Sequence, residues 1–189
     1  MRADAARRRD GLVRAARHLF AVHGSDVALE AVAEAAGVGI ATLYRNFASR
    51  ADLADEVALA ILDDVRAAAQ DAAEQMGSAP VTAWHGYVRR LVDLDLGALS
   101  AALAVHLADD LSATVRTAQD EALSGVEDLL AQARAAHLVR ADLSALELVL
   151  AIGLITRPLP DAVGRRAPDL VGRLTSILLD GMRPTTPDA

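Results

Sequence analysis

Thr42, Tyr44, Arg45 and Asn46 gather two hydroxyls, a guanidinium and a carboxamide in one short stretch of a 189-residue chain. Arg45 can donate a planar fork to a guanine or a phosphate, and Asn46 can both donate and accept. The hydroxyls of Thr42 and Tyr44 suit phosphate oxygens. Together these groups have the chemistry needed to grip and read DNA.

A helix must hold them. Leu43 and Phe47 stand four residues apart on one side, with Ile40 and Tyr44 beside them. At about 100° per residue, Ala41, Thr42, Arg45 and Asn46 project away from that side. Just upstream, Leu29, Val32, Ala33 and Ala36 follow the i, i+3, i+4, i+7 spacing of a second short helix, which Gly37 breaks. Ala28 to Phe47 therefore reads as two helices joined by Gly37-Val38-Gly39, a helix-turn-helix whose second helix can enter a major groove. On spacing alone, a helix pair with a glycine turn is equally at home as plain packing in an all-helical protein.

The run from Ala33 to Leu53, AEAAGVGIATLYRNFASRADL, resembles the DNA-binding signature of the TetR family of bacterial regulators. Ala36-Gly37-Val38, Thr42-Leu43-Tyr44, Phe47, Ser49-Arg50 and Leu53 carry the resemblance, which spans roughly residues 8 to 60. It implies DNA contacts from Gly39, Ile40, Ala41, Thr42, Tyr44, Arg45, Asn46 and Arg50. Within that set, Thr42, Tyr44 and Asn46 would meet the backbone, and Ile40, Ala41 and Arg45 would follow the operator. Arg50 stands where a phosphate-binding lysine is usual; it keeps the charge but binds phosphate as a fork. Two positions depart from the pattern. Ala28 replaces a common threonine, leaving Ser25 or Asp26 as candidate caps of the second helix. Gly39 replaces a common serine cap, and glycine is still a tolerable one.

Composition sets the wider frame. Hydrophobic residues make up 53% of the chain and aromatics only 3%, so the core is built from Ala, Leu and Val, which suits close helix packing better than sheet. The expected fold is all-α, with a helix-turn-helix DNA-binding unit at residues 1–48 and a helical ligand-binding and dimerisation unit at residues 49–189. The net charge of −7 divides along this line. Residues 1–50 hold eight arginines against five acidic side chains, and residues 51–189 hold eleven against twenty-one. A basic start can neutralise phosphates while the acidic remainder stays off the DNA. Arg7, Arg8 and Arg9 would add contacts as an amino-terminal arm, or simply be solvated.

Further helices follow from the same spacing. The first should run from about Ala5 to His23, ending at Gly24. Ser49 and Asp52 form a capping-box pattern ahead of a rod of more than twenty residues, stopped by Met76-Gly77-Ser78. Pro80 opens the next helix, Val115 to Leu138 is another long one, and Ser144 with Glu147 repeats the capping box. Residues 157–168 should form a loop, and Pro168 should open the last helix.

The helices over 144–156 and 168–180 are short and unusually apolar, the first on more than one side. Homodimerisation through Leu146, Leu150, Leu154, Leu174 and Leu178 would bury the second side; a helix central to its own domain is the alternative. A dimer would bind an inverted-repeat operator. The resemblance further implies a repressor released by a small-molecule effector, and the carboxy-terminal half is similar to the SbtR-like group within the family. Trp84, Tyr87, His106 and Arg116 offer polar tips in an aliphatic region and are the candidate effector contacts, with ordinary packing as the competing reading.

An enzyme would need a nucleophile, an acid–base pair or a metal cluster. Five dispersed histidines, the absence of His-Glu-x-x-His and the lack of a phosphate-cradling glycine loop supply none, and no cofactor is expected. Asp63-Asp64, Asp93 with Asp95, and Asp109-Asp110 read as solvated helix faces or ends. Without cysteine there are no disulfides or thiolate metal sites, and a cytoplasmic location is compatible. The opening MRADAARRRD lacks the apolar core of a signal peptide, and the apolar run Leu143–Thr156 is too short and carries Glu147, so no membrane span is expected. The contrasting function is a helical interaction module with a degenerate DNA-binding unit.

Overall fold

The computed structural model describes residues 2–94, 96–105, 111–159 and 161–184; Asp95, His106, Asp109 and Asp110 lie outside them. The described residues form ten helical segments: α1 Arg2–His23, α2 Leu29–Ala35, α3 Ile40–Asn46, α4 Arg50–Met76, α5 Pro80–Val92, α6 Leu96–Ala104, α7 Ala113–Ala135, α8 Ala145–Ile155, α9 Asp161–Gly164 and α10 Leu170–Gly181. No strand occurs among them.

The α4 rod is the spine. Its 27 residues span roughly 40 Å at the helical rise. It begins as the sequence predicts: the Ser49 hydroxyl accepts from the Asp52 N–H at 3.1 Å, and the Asp52 carboxylate accepts from the Ser49 N–H at 3.0 Å. Leu53, Val57, Ile61 and Val65 are buried along it, and Ala54, Ala58, Ala68 and Ala72 let neighbouring helices approach closely. The amino-terminal part of α4 packs against α1, and the rod also contacts α5, α6 and, most extensively, α7. Buried apolar residues from Leu12 to Met182 form one continuous core. Nothing therefore interrupts packing between the helix-turn-helix and the helices behind it.

The turn between α2 and α3 is set by Gly37, whose φ of +69° lies in the left-handed region. There the Val38 N–H reaches the Ala33 carbonyl and the Gly37 N–H reaches that of Glu34, both at 2.9 Å, a Schellman closure that re-aims the chain into α3. Neither Ser25 nor Asp26 caps α2; Ala28 is the N-cap and supplies no side-chain bond, because the Ser25 hydroxyl turns to the Asp26 carboxylate instead. Gly39 begins α3 without a side-chain cap, and the helix forms as expected of a glycine start.

Two cross-links fasten α1 to the rest. Arg17 donates to the Asp64 carboxylate on α4 at 2.6 Å and to the Leu94 carbonyl after α5 at 2.8 Å. Gly97 on α6 brings that helix against the Ala21 carbonyl and Pro158, with both contacts near 4.0 Å from where its Cβ would stand. On the other side, Glu127 on α7 receives Arg134 through one oxygen and the Ala145 N–H at the start of α8 through the other, at 2.9 and 3.0 Å. The box of Ser144 and Glu147 caps α8 as predicted.

The carboxy-terminal end departs from expectation in three ways. The segment 157–168 is not wholly loop, because α9 forms within it. The last helix starts at Leu170 behind Asp169 rather than at Pro168. On α10, Thr175 is the residue buried, its hydroxyl donating to the Val171 carbonyl at 2.8 Å, while Ile177 is 65% exposed. Leu178 and Leu179 pack against the core on the same side as Thr175.

Candidate nucleic-acid interface

Leu43 and Phe47 are buried to within 2%, and they pin α3 so that its other side faces outward. Ala41, Tyr44 and Arg45 are exposed there; Thr42, Asn46 and Ile40 are half-buried at its margins. Tyr44 lies further out than a strict outward arc from residue 41 to 46 would place it, with 50% of its surface exposed. A concavity lined by Arg8, Val38, Gly39, Thr42, Arg45 and Asn46 runs between α1 and α3, with a volume of about 600 Å³.

The cationic side chains divide into held and available groups. Arg45 folds back along α3, its Nε donating to the Ala41 carbonyl at 3.2 Å and its Nη2 to the Thr42 hydroxyl at 3.1 Å. These are solvent-exposed bonds that a base edge can replace at little cost. Asn46 donates to the Thr42 carbonyl at 2.8 Å. Arg50 is engaged more deeply: its Nη1 donates to the carbonyls of Ser25 and Val27 at 2.9 and 2.7 Å, closing the α1–α2 connection. Its Nε and Nη2 donors remain for an anion, so Arg50 braces the fold as well as carrying charge.

Arg7, Arg8 and Arg9 all lie within α1, as a first helix from about Ala5 already places them, and that helix begins three residues earlier, at Arg2. Arg7 pairs with Asp4. Arg9 donates to the Asn46 carbonyl at 2.9 Å and to Glu56 at 2.6 Å, and its guanidinium lies 4.4 Å from the Phe47 ring centroid. It fastens the end of α3 to α1 and α4. Sequence spacing does not reveal that role, since its partners lie 37 and 47 residues away. Arg8 alone of the three lines the concavity beside α3.

The candidate effector contacts fall elsewhere. Trp84 and Tyr87 are buried on α5, their ring centroids 6.0 Å apart, and Arg116 is exposed at the start of α7, donating to the Leu111 carbonyl. None of these three lines the apolar cavity of about 80 Å³ that lies between α4, α6, α7 and α8. The Tyr87 hydroxyl is buried without a hydrogen-bond partner among the described residues, and burial pushes its phenol pKa upward. A more open hollow of about 480 Å³ separates the end of α1 from α6 and α8. Leu146, Leu150 and Leu154 form an exposed stripe on α8, 48, 51 and 71% exposed respectively, while Leu174 and Leu178 on α10 are half-buried. Among the described residues no three metal-ligating side chains come together, and no helix is long and apolar enough to cross a membrane.

Comparison with known proteins brings both halves of the chain into one frame. Residues 12–57 match the family profile described as bacterial regulatory proteins, tetR family, and residues 79–184 match that of the transcriptional regulator SbtR-like, C-terminal domain. A TetR transcription regulatory protein from Mycobacterium vanbaalenii is 30% identical, with 96% of this chain and 98% of that one aligned at a TM-score of 0.58. The regulator SCO0520 from Streptomyces coelicolor is 29% identical over 94% and 99% of the two chains, at a TM-score of 0.63. LfrR from Mycobacterium smegmatis, solved in complex with proflavine, shares the fold at a TM-score of 0.67 with 22% identity, over 94% and 97%. No curated protein matches the chain.

Proposed function

This chain belongs to the TetR family of bacterial regulatory proteins, and from that premise we propose that it is a homodimeric repressor acting on an inverted-repeat operator in the cytoplasm. Residues 1–48 supply the DNA-binding unit and residues 49–189 the effector-binding and dimerising unit. The observation that carries the reading is the outward face of α3, where Ala41, Tyr44 and Arg45 stand exposed between Thr42 and Asn46 while Leu43 and Phe47 anchor the helix from behind. Arg45 and Ala41 read bases; Thr42, Tyr44, Asn46 and Arg50 hold phosphates, with Gly39 and Ile40 at the helix entrance.

Dimerisation rests on α8 and α10. The stripe Leu146, Leu150, Leu154 repeats every fourth residue, and Ile177 on the adjoining α10 is also exposed. The α8 stripe of three large apolar side chains is a surface that a second copy would cover. A small-molecule effector would bind the apolar cavity beside α4 and prefer the conformation unable to hold DNA, since only a differential affinity shifts the equilibrium. The test is selection of duplexes from a random DNA pool by the purified protein, with the stoichiometry of the selected complex measured by sedimentation. Two chains on an inverted repeat are expected; a single chain on an asymmetric site would remove the dimer.

A further inference from the structure

Base reading by α3 depends on how firmly a helix of 7 residues is held. A helix so short has little stability of its own. Its amino-terminal end has no side-chain cap, and among the described helices its backbone packs mainly against α2. The other end is tied by Arg9 of α1. The Asn46 carbonyl is among the last of α3, which have no partner inside the helix, and it accepts from Arg9 Nη1 at 2.9 Å. Arg9 Nη2 donates to Glu56 Oε2 on α4 at 2.6 Å, and the guanidinium carbon lies 4.4 Å from the ring centroid of Phe47, the C-cap of α3. One side chain thus joins three helices. Its charge is matched by Glu56, and unlike Arg8 and Arg45 it does not line the concavity beside α3.

We propose that Arg9 is a positioning residue for base reading: held by Glu56, it fixes the angle of α3 against α1 and α4, so that Arg45 meets its base edge squarely. This role rests on α3 being the helix that reads bases. A planar fork suits the task, because two nitrogens serve acceptors on two different helices while the group covers an aromatic ring. A cation also complements the negative end of α3. Without the tie, α3 is free to pivot about its α2 end, and recognition requires its side chains to be held within roughly 0.5 Å and 10–20°. Phosphate contacts through long side chains carry no base information, so they survive such a tilt while base preference does not.

Arg9→Gln combined with Glu56→Gln removes the tie and leaves the net charge at −7. Fluorescence anisotropy would compare the duplex enriched by the native protein with a scrambled duplex of equal composition, each across a salt series. The paired variant should bind scrambled DNA with native affinity and native salt slope, while its preference for the enriched duplex falls roughly tenfold, the worth of one bidentate base contact. A direct phosphate contact from Arg9 would instead weaken both duplexes equally and lower the salt slope by about 0.9, and that result would overturn the proposal. So would a lowered melting temperature with a native preference, which would make Arg9 a structural tie only. If melting curves show the paired variant unfolded, Arg9→Lys carries the same comparison, since it keeps the charge but offers one nitrogen to two helices; a native preference there would overturn the proposal as well. A native protein without any preference would overturn base reading and this role together, whereas a native preference kept by the variant overturns the role alone.

Discussion

At the scale of single residues, DNA recognition and structural support overlap more closely than residue types suggest. Tyr44 is exposed and has no hydrogen bond among the described residues, so Tyr44→Phe should remove one phosphate contact. Affinity measured on several duplexes should fall by a similar factor on all of them, because phosphate carries no base information. Arg50 also holds the carbonyls of Ser25 and Val27, so Arg50→Lys keeps the charge but loses the fork, and both melting temperature and DNA affinity should fall. At two other residues a replacement should hold or raise stability. His137 closes α7 with φ of +56°, its N–H bonded to the Arg134 carbonyl, in the position that favours glycine. His137→Gly should stabilise by up to about 1 kcal/mol in urea unfolding, the left-handed strain exceeding the added freedom of the unfolded chain. Tyr87→Phe removes a buried hydroxyl that lacks a partner and should leave the melting temperature equal or higher.

At the scale of elements, the helices with local signals were legible in the sequence. Ser49 with Asp52 and Ser144 with Glu147 are reciprocal bonds three residues apart, so sequence alone places the starts of α4 and α8. Pro80 and the Met76-Gly77-Ser78 stop work in the same way. What was not legible depends on distant partners. Arg9 reads as part of a basic arm until Phe47, Asn46 and Glu56 are brought against it. The inward face of α10 is similarly set by its neighbours, which bury Thr175 and leave Ile177 outside. The wall of the cavity beside α4 was illegible for the same reason, since its lining from α6 and α7 comes together only once those helices pack. Capping makes its own prediction. Ser49→Ala should cost about 1 kcal/mol in unfolding free energy. At α8, backbone and side-chain bonds from Ser144 hold the Glu147 carboxyl below its ordinary range. Its contribution is therefore present above the unfolded pKa and is lost as pH falls through the lowered folded value; Glu147→Gln should flatten that part of an acid-unfolding curve.

At the scale of the whole molecule, charge and apolar surface are placed at opposite ends of the chain. The basic start carries α3, and the acidic remainder carries the exposed leucines of α8. Leu154 is 71% exposed, so Leu154→Arg should leave the subunit folded while an arginine pair repels across the two-fold axis. Sedimentation at micromolar concentration should then report a monomer. The proposed dimer would also set how bases are read, because two copies of α3 would meet the two half-sites in the same way. Duplex selection with the native protein and with Arg45→Ala, run in parallel from one random pool, tests this most directly. The native protein should enrich an inverted repeat, and Arg45→Ala should lose base preference at one position in each half-site, symmetrically, with the remaining positions retained. An unchanged preference, or retention of DNA with no enriched sequence that vanishes as salt is raised, would contradict base reading by α3 and leave only attraction between an arginine-bearing surface and phosphate.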